Sequence, residues 1–212
     1  MPDSLGRPTL AELHAEIADD IERADLAPQI ATAVERAIRY FQPERFFFNE
    51  GFVTFRTTPG MDVYAAGDAA AIPDLMAIDS AVVVENDQTW TLRRVDEAWI
   101  ERADDQASAA YPCAFSYFAR SVRLWPVPSG EWTVRLMVHQ RLPVPPLEQG
   151  NAWTDEASSL IAARAKRHLA LNVLRDPAMA QAQAVIMADE LEALRGRSNV
   201  IASTGQVAAY YL

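Results

Sequence analysis

The first part of the chain carries two stretches in which apolar side chains recur at helical spacing. In the first stretch, Thr9 occupies the N-cap position and Glu12 follows three residues later, which predicts a helix that begins with a capping box. The second stretch begins near Asp25, has Pro28 in its first turn and continues to Pro43. The two stretches predict a helical hairpin. Its apolar positions are Leu10, Leu13, Ile17, Ile21, Ile30, Val34, Ala37, Ile38 and Phe41.

The middle of the chain changes to an alternation of apolar and polar residues, which is typical of strands. The alternation is clearest from Trp132 to His139 and recurs from Ser121 to Trp125, with the turn sequence Pro126-Val-Pro-Ser-Gly130 between them. Residues 120–139 are therefore expected to form a β-hairpin. Further strands are predicted at Phe52 to Arg56, Met61 to Ala65, Ala77 to Glu85 and Trp90 to Arg94, and a short helix at Asp96 to Asp105.

Helical spacing returns after the proline-rich stretch Leu142-Pro-Val-Pro-Pro146. Thr154 is the expected N-cap of the next helix. The last helix is predicted from Ala178 to Arg195, with Gly196 as its C-cap. The polar tail that follows ends in Tyr210, Tyr211 and Leu212 and is typical of a segment that becomes ordered on a partner.

These elements predict an α+β fold in which a β-rich domain is inserted into a helical one. Residues 1–45 and 155–196 are expected to form an antiparallel helical bundle. Residues 46–154 would form the inserted antiparallel β-domain, and residues 197–212 an extended C-terminal arm.

The net charge of the chain limits the kinds of macromolecule that it is expected to bind. The chain has 29 acidic and 19 basic residues, for a net charge of -10. This balance disfavours a non-specific grip on DNA and binding to anionic membranes. One cationic stretch stands apart, because no acidic residue separates Glu156 from Asp176; it contains Arg164, Lys166, Arg167, His168 and Arg175. Such a stretch is either a solvated helical face, which is the more frequent case, or a contact surface for an acidic partner.

The sequence contains no recognisable catalytic, phosphate-binding or metal-binding motif. The glycines form no phosphate-binding motif, and the three histidines lie in different predicted elements without metal-ligand spacing. A single cysteine, Cys113, fits folding in a reducing cytoplasm. The N-terminus lacks the features of a signal peptide, and no run of residues is apolar enough to span a membrane. We therefore expect no enzyme activity, cofactor, metal site or membrane contact, although a pair of distant carboxylates remains open as an active site.

The order of these segments resembles the head-to-tail adaptor, or head completion, proteins of tailed bacteriophages. The resemblance spans most of the chain and is most specific in the stretch Ser121-Val-Arg-Leu-Trp-Pro-Val-Pro-Ser-Gly-Glu-Trp-Thr-Val-Arg-Leu136. It also includes Thr9-Leu-Ala-Glu-Leu13, Ile17-Ala-Asp-Asp-Ile21, Leu26-Ala-Pro-Gln-Ile30, Ile72-Pro-Asp-Leu-Met76, Ile78-Asp-Ser80, Pro143 to Leu147, Asn151 to Thr154 and two alanine-rich helices.

The resemblance implies a structural virion protein that is made in the host cytoplasm and located at the head-tail junction. Such adaptors form a ring, dodecameric in that family, which docks on the portal protein, extends the DNA channel and provides a platform for tail or nozzle proteins. DNA would pass without sequence-specific binding. By the same resemblance, a portal-binding arm would include Arg195, Arg197, Tyr210, Tyr211 and Leu212, and Arg123, Trp125 and Arg135 would contact a neighbouring subunit or the next ring.

Three alternatives remain at this point. The chain fits a neck or stopper ring protein of the same junction, which is also an α+β virion ring. From other classes, it fits a cytoplasmic hydrolase with a site of scattered carboxylates, or a monomeric module whose β-domain binds a small ligand or peptide.

Overall fold

The structure, a computed structural model, describes residues 6–86, 88–103 and 111–202. Within these residues the fold is α+β, with six α-helices and eight strands. The helices are α1 (Leu10–Asp20), α2 (Ala27–Phe41), α3 (Glu97–Arg102), α4 (Ala152–Glu156), α5 (Ser158–Leu169) and α6 (Pro177–Ala202). The strands are β1 (Glu50–Arg56), β2 (Val63–Tyr64), β3 (Leu75–Glu85), β4 (Gln88–Thr91), β5 (Arg93–Arg94), β6 (Ala114–Phe118), β7 (Ser121–Trp125) and β8 (Thr133–Gln140).

The described chain divides into two compact units. A helical unit consists of the chain up to Phe48 and from Leu142 onward, and a β unit consists of Asn49–Arg141. The helical unit thus takes up residues 46–48 and 142–154, which the sequence pattern had assigned to the inserted domain.

The helical hairpin at the N-terminus is confirmed, together with its capping box. The Thr9 hydroxyl accepts the Glu12 backbone N–H at 3.1 Å, and the Glu12 carboxylate accepts the Thr9 N–H at 2.7 Å. Two further N–H groups in the first turn, those of Leu10 and Ala11, donate to the carbonyls of Gln149 and Leu147. The proline-rich return segment therefore satisfies donors that a helix start leaves unpaired, which explains why it belongs to the helical unit.

The C-terminal helices begin differently from the sequence prediction. Asn151, not Thr154, is the N-cap of α4, and the Thr154 hydroxyl instead accepts the backbone N–H of Asn151 at 3.0 Å. A π-helical turn, Ala170–Leu174, follows α5 and ends at Arg175, whose φ of 55° is left-handed. Helix α5 packs against α1, α2 and α6, and together they bury the apolar faces expected from the sequence.

An aromatic cluster anchors the points where the chain leaves and re-enters the helical unit. Trp153 and Phe46 are completely buried, and Phe48 meets the Trp153 ring edge-on at 5.2 Å between centroids. The Trp153 indole N–H donates to the Leu142 carbonyl at 3.4 Å, and the Gln42 amide oxygen accepts the Leu142 backbone N–H at 3.3 Å. Both chain crossings are thereby fixed to the same core.

The β unit contains two four-stranded sheets around one apolar core. One sheet has the order β1-β8-β3-β4, which we call the first sheet, and the second sheet has the order β2-β7-β6-β5. All described pairings are antiparallel except that of β5 with β6. Alternate residues of both sheets point into the core, including Phe55, Tyr64, Val83, Phe115, Leu124 and Leu136.

The predicted hairpin at residues 120–139 is wrong. Strand β7 pairs with β2 and β6 in the second sheet, and β8 pairs with β1 and β3 in the first. The connecting turn is bonded to the chain after β1: the Thr57 hydroxyl accepts the Trp132 N–H at 2.7 Å and donates to the Gly130 carbonyl at 2.8 Å. The turn therefore carries the chain from one sheet to the other instead of closing two paired strands. The stretch Trp90 to Arg94 is likewise divided, between β4 and β5 of different sheets.

The predicted end of the last helix at Arg195 is also wrong. Helix α6 continues through Gly196 to Ala202, so the first six residues of the predicted arm, 197–202, are helical. Ser198 is buried, and its hydroxyl accepts the backbone N–H of Phe47 at 3.1 Å. Contacts with the rest of the helical unit thus extend the helix past a residue that favours termination. Tyr210, Tyr211 and Leu212 lie outside the described residues.

The helical conformation at Gly196 can be tested with Gly196→Ala. A Cβ at this position meets no atom within 4 Å, and alanine is favoured over glycine inside a helix by about 0.5–1 kcal/mol. We expect the free energy of unfolding to rise by that amount in chemical denaturation at low protein concentration. Gly60→Ala is the control and should destabilise the protein, because Gly60 has a φ of 79°. A loss of stability in Gly196→Ala would indicate the left-handed cap predicted from the sequence.

Candidate functional site

Arg123 lies at the centre of a cluster of carboxylates in the β unit. Its guanidinium forms ion pairs with Asp62 at 2.8 Å and with Glu97 at 2.7 Å, and a third with Glu101. Glu97 also accepts a hydrogen bond from the buried Ser116 hydroxyl at 2.5 Å. The cluster ties β7 to α3 and to the chain before β2, so three carboxylates neutralise this arginine within its own chain.

The protonation of the Arg123 cluster follows from its geometry. Burial opposes ionisation of Glu97, but hydrogen bonds from Ser116 and Arg123 outweigh it, and the net effect lowers the pKa of the Glu97 carboxyl. Hydrogen bonds to Glu97 and Glu101 raise the pKa of Arg123. The Glu97 carboxylate and the Arg123 guanidinium are therefore charged at neutral pH, and their ion pair stabilises the β unit.

The three residues expected from the resemblance to contact a neighbouring subunit do not form one surface. Trp125 meets Trp99 edge-on at 5.1 Å within the β unit. Arg123 and Trp125 belong to the second sheet, whereas Arg135 belongs to the first. Arg135 is exposed on β8, between Thr54 of β1 and Val82 of β3. Of the three, only Arg135 lies on an exposed face, where Phe52 and Met137 are 66% and 44% exposed and directly opposite each other.

The residues of the cationic stretch in the third predicted helix make different contacts in the structure. Lys166 pairs with Asp20 of α1 at 2.7 Å, and Arg175 ends the π-helical turn. Arg164, Arg167 and His168 instead line a cavity of about 170 Å³ together with Arg36 of α2. We call these four residues the arginine pocket. Arg36 was not predicted from the sequence, because it lies 132 positions before His168. In the fold, Nη1 of Arg36 is 3.2 Å from Nε2 of His168.

Two residues of the predicted portal-binding arm are held within the helical unit. Arg195 forms a bidentate pair with Glu44 through two contacts of 2.7 Å from Nη2. Arg197 pairs with Glu156 at 3.2 Å. Both residues lie in α6, which ends at Ala202, and the rest of the predicted arm lies outside the described residues.

Helix α6 exposes a face opposite to its packed side. Leu194 and Ser198 are buried, and Met187 and Leu191 pack against the helical core. The opposite side of the helix, half a turn away, repeats the same three- and four-residue spacing and is exposed. It carries Val185, Asp189, Glu192 and Gly196. We call Val185, Asp189 and Glu192 the outer face of α6.

In the part of the chain that the structure describes, no group of three or more His, Cys, Asp or Glu side chains is placed to hold a metal ion. Among the described helices, none is both long and apolar enough to cross a membrane.

A family model described as SU10 adaptor protein matches residues 8–209, which is nearly the whole chain. The chain therefore belongs to the SU10 adaptor family, a family of phage head-to-tail adaptors, and the resemblance seen in the sequence is confirmed. It is a structural adaptor protein of a bacteriophage virion. No individually curated protein matches the chain at a significant level.

The Arg123 cluster predicts a specific dependence of stability on pH. Because the pKa of Glu97 is lowered on folding, its contribution is complete above its ordinary value of 4.5 and is lost as the pH falls through the lower folded value. Glu97→Gln should reduce the free energy of unfolding by about 1 kcal/mol at neutral pH. The difference from the unmodified protein should shrink on acidification, as measured by denaturant unfolding at a series of pH values.

Glu131→Gln is the matched control, because Glu131 pairs with Arg56 at 3.5 Å with both side chains largely exposed. We expect it to change stability little at any pH. Parallel pH profiles for Glu97→Gln and the unmodified protein would contradict a charged, stabilising Glu97.

Proposed function

We propose that this chain assembles as a dodecameric ring that docks on the portal, extends the DNA channel and offers a platform to tail or nozzle proteins. The observation that carries the proposal is the family match over residues 8–209. The family implies interaction with portal and tail components in a ring at the head-tail junction. The number of subunits and the order of contacts are our inference from the resemblance.

The charge of the chain supports a role in the wall of a DNA channel. A lumen that passes DNA must not retain it, and affinity for DNA comes mainly from cations that neutralise phosphates. The chain has a net charge of -10, and its arginines Arg123, Arg195 and Arg197 are paired with carboxylates. A ring of such subunits would leave the duplex mobile.

Electron microscopy of the chain with and without its portal protein tests the assembly directly. We expect rings seated on portal particles, and light scattering of the complex should give twelve copies if the ring is dodecameric, as the resemblance implies. A chain that stays monomeric and ignores portal at all concentrations would contradict the proposal. Binding only to portal that already carries another ring would instead identify a neck or stopper protein.

We further propose that the residues after α6 form the portal-binding arm. Deletion of Gln206–Leu212 should leave the thermal transition nearly unchanged, because the buried positions of α6 end at Ser198. Portal binding should weaken at least tenfold, about 1.4 kcal/mol, since two tyrosines and a leucine are removed. Co-sedimentation with portal measures the loss.

A matched pair of double variants separates the aromatic residues from chain length. Tyr210→Ala with Tyr211→Ala should reproduce most of the loss of portal binding, whereas Ser203→Ala with Thr204→Ala should not. If the shortened chain fails to fold, the tail is part of the core and the arm proposal is wrong.

A further inference from the structure

The arginine pocket concentrates positive charge without a compensating anion. Three guanidiniums and an imidazole face a cavity whose other lining residues are Ala33, Ala37, Leu171 and Asn172, so no carboxylate lines it. By contrast, Arg123 has three carboxylates within its own chain. The pocket therefore differs from the other arginine cluster in having no carboxylate among its lining residues.

Arg164 is half-buried and packs against neighbouring side chains. Its guanidinium carbon lies 3.3 Å from the centroid of the Tyr40 ring, and its Nη1 is 3.9 Å from Met187 Sδ. Burial lowers the pKa of Arg164, as it does that of His168, where Arg36 and Arg164 add repulsion. Arg36 is exposed, so the pocket combines a partly desolvated guanidinium with one that is open to a partner, and an anion that enters it is attracted by both.

The outer face of α6 has the complementary composition. Asp189 and Glu192 are exposed and three residues apart, so their carboxylates lie on one side of the helix, with Cβ atoms about 5–6 Å apart. No ion pair joins either of them to a cation of the described residues. Val185, which is 54% exposed, lies one turn before Asp189.

Identical subunits in a closed ring must join through two different surfaces, because each copy contacts one neighbour with one face and the other neighbour with another. The pocket and the outer face of α6 fit this requirement. The arginine pocket is cationic and is lined in part by Leu171, which is 48% exposed. The outer face of α6 is anionic and includes the exposed Val185. Both belong to the helical unit, so one compact unit can present both faces.

We propose that the outer face of α6 in one copy of this chain docks on the arginine pocket of the next copy, so that Asp189 forms an ion pair with Arg167 and Glu192 one with Arg36. The partner is thus a second copy of the same chain, joined head to tail. This inference rests on the ring of the proposed function and names the faces that close it.

Cysteine crosslinking tests which faces meet. Leu171→Cys and Val185→Cys are each placed in a Cys113→Ser background, because Cys113 is exposed. Complexes with portal are assembled from each variant alone and from an equal mixture, then oxidised and separated by size. We expect crosslinked dimers in the mixture, a ladder of larger crosslinked oligomers in a chain that carries both cysteines, and no crosslinks in either single variant.

Charge reversal supplies an independent measurement. Arg167→Glu and Asp189→Arg should each weaken self-association at least tenfold, since each places like charges opposite each other. The chain that carries both substitutions should recover most of the association. Arg102→Glu, at an exposed arginine of α3 in the β unit, is the matched control and should have no such effect. Sedimentation at low and high salt measures the association.

The outcomes separate this inference from the proposed function. Rings that form on portal without the mixed crosslink, or without recovery in the doubly reversed chain, overturn the inference and leave the adaptor function standing. An Arg167→Glu variant that loses only DNA or phosphate binding also overturns it. If neither rings nor portal complexes form from the unmodified chain, the proposed function fails and the inference fails with it.

Discussion

The fold depends on the burial of Trp153 against Phe46 and Phe48. The helical core is assembled from both ends of the chain, so it must hold the segment that leaves it and the segment that returns. Trp153 is fully buried and hydrogen-bonded to Leu142, the first residue of the return segment. A large aromatic group buried in this way stabilises a core by several kcal/mol. With both crossings fixed, the long β insertion is tolerated, because closing a longer loop costs little additional entropy.

Sequence patterning predicted the elements of this fold much better than their partners. The capping box of Thr9 and Glu12 and the strand of Trp132 to His139 follow from local spacing, and both are present. The pairing of β8 with β1 and β3 is not local, because it is decided by which apolar faces share a core. Gly196 shows the same limit: its preference for helix ends is overridden by the packing of Leu194 and Ser198 on either side.

The candidate site was predictable only where its residues are close in sequence. Arg164, Arg167 and His168 stood out as a cationic stretch, but their neighbour Arg36 comes from another helix. The sequence also could not separate Lys166, which points to Asp20, from the arginines beside it. Charge counts along a chain do not record which helical face each residue occupies, and here that face decides whether a cation is paired within its own chain.

The two arginine clusters show how one residue type serves both folding and assembly. In the β unit, three carboxylates surround Arg123, so its desolvation is offset within the chain and little attraction remains for a partner. In the helical unit, Arg36, Arg164 and Arg167 converge where only small, apolar or amide side chains and His168 complete the lining. That arrangement is unfavourable for an isolated subunit and becomes favourable when a carboxylate arrives from outside. In the ring interface proposed here, an adaptor subunit gains from such a division. The paired cluster stabilises each copy, and the unpaired one adds its stabilisation only upon assembly.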